Sequence, residues 1–274
     1  MNLSAIVITK NEERNIERCL ASVSFADEII VVDAESQDRT AELARKAGAT
    51  VFVRSWPGYG EQKNFGREQA HGDWLLFIDA DEKVSAELAQ EIQKVVSSQL
   101  SQLRQGATLG EAVVSSNFYW LRIVTVFLGK PLHHLYGHNP RPMRRNSGRW
   151  TDSNVHEQVE TNMGQQITLG DQHSAILSNG LLHYSHPTIQ SYMAKMHTYT
   201  TLDAKQMLRT KAHRSGRPVK PRIWLPIWLA LRQFIKLLIY RRGIWDGLAG
   251  ITWCVLSAYY EFEMGQKYVR GTRL

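Results

Sequence analysis

The chain has 274 residues, enough for one large domain or two small ones. Its two cysteines, Cys19 and Cys254, lie far apart in apolar company, with no CxxC and no HExxH, which argues against a zinc site and predicts free buried thiols. The formal net charge is +7, and eleven Lys/Arg with no acid fall between Lys205 and Trp245, so the rest carries about −4 by difference.

In chain order, Leu3 to Ile8 reads as an apolar strand and Thr9-Lys10-Asn11-Glu12-Glu13 as a polar turn. Asn11 is the expected N-cap of a helix marked by Ile16, Cys19, Leu20 and Val23 at helical spacing. Glu28 to Asp33 is a second strand, followed by a helix through Leu43, Ala44 and Ala47 that Gly48 closes. Thr50 to Val53 is a third strand, Gln62 to Ala70 a helix, Trp74 to Ile78 a fourth strand and Ser85 to Val96 a helix. Strands alternating with helices imply a largely parallel α/β sheet with ligands at the carboxyl ends of its strands. Polar residues collect at those ends: Thr9 to Glu12, Asp33, and Asp79 to Glu82. Neither GxGxxG nor GxxxxGK[ST] occurs, which counts against a dinucleotide oxidoreductase and a P-loop kinase.

The fourth strand ends in Asp79-Ala80-Asp81-Glu82. On an extended chain, two aspartates one residue apart point the same way, so Asp79 and Asp81 could share a cleft. Mg²⁺ or Mn²⁺ takes oxygen ligands and is commonly shared between carboxylates and substrate phosphates. The alternative is an acidic strand-to-helix turn capped by Asp81 or Ser85.

These residues resemble glycosyltransferase family 2. The likeness rests on Ala5 to Glu13, Val32 to Thr40, Gln62-Lys63-Asn64 and Asp79 to Glu82. Within it, Thr9 to Glu13, Gly58 to Asn64 and Val155-His156-Glu157 look most like the lipopolysaccharide core glucosyltransferase branch. The resemblance is dense over residues 1–90 and thinner to about 190. It implies a GT-A fold with a Rossmann-like nucleotide half, a nucleotide-diphosphate sugar donor (a UDP-hexose), Mg²⁺ or Mn²⁺, and inversion at the anomeric carbon. It places Thr9, Asn11 and Glu12 in the nucleotide pocket and Asp33 near the base or ribose. Lys63 and Asn64 fall near the diphosphate and donor sugar, Asp79 at the ribose or metal, and Asp81 at the metal. Many members carry two consecutive acids after the second strand; here Ala34 takes the second place and Glu35 follows, which leaves the base open.

A general base should come from the second half, and the candidates are Glu157, then Asp152. Arg141, Arg144 and Arg145 read either as a solvated basic loop or as contacts to donor or acceptor phosphate. His156 and His183 are candidates to complete the metal site, or else hydrogen-bonded structural residues.

Residues 99–112 read as a linker or frayed helix end between a nucleotide half (1–98) and an acceptor half (113–200). The stretch 201–274 reads as a basic, amphipathic helical tail. Arg232 and Lys236 interrupt one apolar run and Asp246 bounds another, so neither reaches the ~20 apolar residues of a span. Trp, Tyr and basic residues suit a membrane surface, and the Trp-rich company argues against nucleic acid. The start lacks a signal peptide's pattern. The expectation is a cytoplasmic enzyme, peripheral on the inner membrane surface, with a glycolipid acceptor. A sugar nucleotidyltransferase and a non-catalytic nucleotide-sugar-binding membrane protein are the rivals.

Overall fold

The computed structural model describes residues 2–104, 116–152, 157–172, 174–186 and 188–271. The first hundred residues form β1 (Leu3–Thr9), α1 (Ile16–Ser22), β2 (Glu28–Asp33), α2 (Thr40–Lys46), β3 (Thr50–Val53), α3 (Tyr59–Gln69), β4 (Trp74–Asp79), β5 (Glu82–Val84) and α4 (Ala86–Arg104). Then come β6 (Phe118–Phe127), β7 (Lys130–Arg144), β8 (Gly148–Trp150), β9 (Val159–Thr161) and β10 (Ser174–His186). Among the described residues three α-helices follow, α5 (Ile189–Thr210), α6 (Leu225–Ile235) and α7 (Gly247–Gly271), with a π-helical turn (Lys236–Tyr240) and a 3-10 turn (Gly243–Asp246) between the last two.

Eight strands form one sheet in the order β3-β2-β1-β4-β7-β6-β10-β5, and β8 pairs with β9. β1 is parallel to β2 and β4, and β2 to β3, whereas β7 is antiparallel to β4 and β5 to β10. β1 is buried over its whole length because helices cover both faces of the parallel part. Ala5, Val7 and Ile78 join one core with α1 and α4; Ile6, Ile8 and Phe77 join the other with Phe65 of α3.

Three expectations change. α1 begins after Asn15, not Asn11. Asn11 has φ +54° and is held in the loop: its N–H donates to Ser36 Oγ at 2.8 Å and its side-chain oxygen accepts from Gln37 N–H at 2.8 Å. Asn tolerates that left-handed conformation, and once in it the residue cannot cap a helix four residues away. α4 continues to Arg104, since nothing between 97 and 104 breaks a helix. Asp79 and Asp81 are not on one extended strand: a turn at Ala80-Asp81 leads into β5, which reverses to pair with β10. Ser85, not Asp81, caps α4, accepting the Leu88 N–H at 3.1 Å.

The chain divides into two compact units, 1–123 with 137–183 and 124–136 with 184–274. The first holds the parallel strands and the acidic cluster. In the second, α5, α6 and α7 share a core that includes Met207, Leu229 and Met264, while Phe127, Leu135 and Cys254 form another. Cys19 and Cys254 are buried free thiols. Among the described residues no helix is long and apolar enough to cross a membrane.

Candidate active site

The site lies at the carboxyl end of β4, within the first unit. β4 presents Leu75, Phe77 and Asp79 to the α3 side. α3 can lie close there because Gly66 has no side chain: a Cβ would stand 2.4 Å from Ile6 Cγ2 and 3.1 Å from Val32 Cγ2. One turn earlier the helix delivers Lys63, fully buried, beside Asp79. Lys63 Nζ is 3.5 Å from Asp79 Oδ1 and 2.7 Å from Glu157 Oε1, and lies 4.4 Å from the centre of the Trp150 ring. A buried ammonium persists only when paired, and here two carboxylates and an aromatic face supply the pairing.

β7 brings in the second cation. Its antiparallel register sets Pro142 opposite Leu76, so Arg141 falls on the face of Phe77 and Asp79. Arg141 is 4% exposed and donates to Asp79 Oδ2 at 3.0 Å and to Glu82 Oε1 at 2.5 Å. Glu82, wholly buried, also accepts the Asp79 N–H at 2.8 Å. β5 pairs with β10 so that His183 faces Glu82, and His183 Nε2 reaches Asp81 Oδ2 at 3.2 Å.

The charges answer to these contacts. Burial alone would raise the Asp79 pKa, but Arg141 and Lys63 outweigh it and hold the carboxyl below the usual range. For Glu82 burial wins over Arg141, and the neighbouring Asp79 adds to it, pushing the group up to about 7. Burial would lower the pKa of His183, but Asp81 and then Glu82 and Asp79 carry it up to about 9.

Of the three arginines, only Arg141 joins the cluster. Arg144 is opposite Trp74, at the far end of β4, and Arg145 donates to Ala70 O at 3.2 Å. Asn64 clips α3 to β8: its side-chain NH₂ donates to Trp150 O at 2.8 Å and its oxygen accepts the Trp150 N–H at 2.9 Å. Thr151 and Gln158 are hydrogen-bonded to each other, which makes Asp152 and Glu157 neighbours. Asp152 is exposed, close to Gly60 at the start of α3, and forms no ion pair among the described residues. His156 lies outside the described residues.

At the ends of β1 and β2, Asp33 is buried and accepts from Ser36 N–H at 2.9 Å and Ser36 Oγ at 2.5 Å. The Glu12 N–H donates to Thr40 Oγ1 at 2.8 Å. Among the described residues, Thr9 Oγ1 and both polar atoms of the buried Gln62 find no hydrogen-bond partner. A buried amide without partners is costly, so Gln62, beside Lys63 on α3, joins the candidate residues. Sequence reasoning missed it, along with the roles of Glu82 and Trp150. Lys63 and Glu157 are 94 residues apart and Arg141 and Glu82 are 59 apart, so the local signal lay in Gln62 and Glu82, which belong to the quoted motifs Gln62-Lys63-Asn64 and Asp79 to Glu82.

With this geometry in view, the model of the family described as Glycosyl transferase family 2 matches residues 4–166. The chain belongs to glycosyl transferase family 2. The glycosyltransferase is 30% identical over 262 residues to an uncharacterised glycosyltransferase of Rickettsia bellii, covering 95% of this chain and 83% of that one. It is 28% identical over 283 residues to the lipopolysaccharide core biosynthesis glycosyltransferase LpsC of Rhizobium meliloti, covering 97% and 91%. Among solved structures it overlaps S. aureus TarS 1–349 in complex with UDP at a TM-score of 0.46 and 15% identity, covering 99% and 92%.

Proposed function

We propose that this glycosyltransferase is an inverting, divalent-metal-dependent hexosyltransferase that uses a UDP-hexose and a membrane-held glycolipid acceptor of the lipopolysaccharide core class. The supporting observation is the arrangement of Asp81 and His183 beside Asp79, Lys63 and Arg141 at the end of β4. The acceptor class draws on the likeness to LpsC.

Asp81 would supply an oxygen ligand for Mg²⁺ or Mn²⁺, and His183, on giving up its proton, a nitrogen ligand that suits Mn²⁺. Their donor atoms are 3.2 Å apart and partly exposed, and no group of three metal-binding side chains stands among the described residues. Two protein ligands leave room for diphosphate oxygens and water, as these ions prefer. When bound, the ion would offset the charge gathering on the departing nucleoside diphosphate.

The chain's own residues do the rest. Arg141 and Glu82 hold Asp79 in place, so this acid stays charged and positions Lys63. Lys63 is the cation nearest the diphosphate and trades its contact with Glu157 for phosphate oxygen. Such a preplaced charge contributes roughly 10²–10³ in rate. Glu157, released when Lys63 turns to phosphate, is the first candidate to take the acceptor proton, and the exposed Asp152 beside it is the second. Thr9, Asn11, Glu12, Asp33 and Gln62 line the base and ribose end. The nucleotide half is residues 1–98, the acceptor half 113–200, and the tail 201–274 keeps the enzyme, on the cytoplasmic side, against the membrane.

The test is donor turnover with Mn²⁺ across a panel of nucleotide sugars. UDP release from a UDP-hexose, reduced about 100-fold or more by Asp81→Asn, is expected. Unchanged release in that variant removes the metal role, and pyrophosphate-dependent UTP formation makes the protein a nucleotidyltransferase.

A further inference from the structure

The second unit carries a cavity unrelated to the acidic cluster. It measures about 340 Å³ and opens where the segment after α5 meets the start of α6. Four cations line it: Arg217, Lys220, Arg222 and Arg232. No acid does. Glu261 stands behind the lining, but it is already bonded to His213 Nε2 at 2.9 Å and to Arg214 at 2.6 Å. The wall itself is chiefly apolar, and a concavity of that kind ringed by cationic side chains attracts an anion that carries apolar groups.

Two indoles also face the cavity. The Arg222 guanidinium lies 5.6 Å from the Trp224 ring and that of Arg232 5.3 Å from the Trp228 ring. Each ring limits where its arginine can point, so less freedom is lost when the fork meets a phosphate. Beside this column, Ile223 in the turn before α6 and Ile227, Leu231 and Ile235 on it recur every four residues and are 78%, 56%, 58% and 44% exposed. An anion pocket beside an open apolar ridge matches a molecule with a phosphate at one end and hydrocarbon at the other. Tryptophan at the junction suits the membrane–water boundary.

We infer that this pocket binds the headgroup phosphate of one anionic phospholipid, with its acyl chains along the α6 ridge. The inference rests on the membrane docking proposed above and narrows it to a defined stoichiometric site.

The probe is dihexanoyl-phosphatidylglycerol below its micelle concentration, titrated calorimetrically into the full chain. With no bilayer present, diffuse surface charge contributes little. One-to-one binding is expected, about tenfold tighter than for dihexanoyl-phosphatidylcholine or for glycerol 3-phosphate. Arg222→Gln with Arg232→Gln should weaken it about tenfold or more. Lys236→Gln with Arg242→Gln, the same charge change outside the pocket, should alter it by less than about twofold. Circular dichroism verifies that both variants fold. Equal losses in the two variants overturn the pocket, and so does glycerol 3-phosphate binding as tightly as the lipid. If the short-chain lipid fails while vesicles of phosphatidylglycerol and phosphatidylcholine still sediment the protein, the pocket falls and the docking stands. Failure on both counts sinks both, and leaves the transferase assignment of the first unit untouched.

Discussion

Glu82 and Arg141 show how far a side chain's role departs from its local appearance. Glu82 sits in an acidic strand-end run and Arg141 in a basic stretch that reads as solvated or as a phosphate contact, and neither local pattern marks the other as its buried partner. Each is buried against the other, and removing Arg141 would take from Asp79 and Glu82 the cation they share, at a cost of about 3–5 kcal/mol. Glu261 follows the same logic in the second unit. Burial would raise its pKa, but the His213 hydrogen bond and the Arg214 charge outweigh this and hold it low. A carboxyl with a depressed folded pKa adds stability that is fully present above its unfolded value, near 4.5, and is lost as pH falls toward the folded value. Thermal melts of the full chain should therefore lose stability as pH falls below about 4.5. Glu261→Gln should cost about 1–3 kcal/mol at pH 7 and flatten that slope. An unchanged slope would mean that Glu261 is not the group responsible. At this scale the acids at the ends of β1, β2 and β4 were legible, because a charge ending an apolar run must reach open space or a partner. Which partner it reaches was not.

At the scale of elements, β1 to β4 and the helices between them follow from apolar runs separated by polar turns. β5 does not, because three residues carry too little pattern, and its pairing with β10 comes from a segment about a hundred residues away. Yet β5 is what turns Glu82 inward and brings His183 to Asp81. α3 is the other decisive element. It carries Gln62, Lys63 and Asn64, and its depth on the sheet is set by Gly66. Gly66→Ala should gain about 1 kcal/mol in helix preference and lose about 1–3 kcal/mol to overpacking against Ile6 and Val32. The net expectation is a lower Tm with a larger fall in kcat than in substrate affinity, because Lys63 moves away from Asp79. Wild-type kcat in a folded Gly66→Ala protein would show that the close approach of α3 does not set the site.

Over the whole molecule, the proposed chemistry and the proposed membrane contact occupy different units and should separate under mutation. Ile227→Glu with Leu231→Glu should reduce sedimentation with anionic vesicles by roughly tenfold or more, while UDP release in the presence of a water-soluble acceptor stays near wild type. Asp81→Asn should do the reverse. Parallel losses of both activities in either variant would show that the two are coupled.

The sequence by itself determined what is local: the alternation of strand and helix in the first hundred residues, the acids at the strand ends, and a tail basic along one stretch and apolar along others. Those features depend on neighbours within a turn or a strand, so the order of residues encodes them directly. Only the tertiary structure decided the pairings, Asp79 with Arg141 across 62 positions and Lys63 with Glu157 across 94. Long-range contacts follow from strand register and from how closely a helix can approach a sheet, and no periodicity in the chain records either.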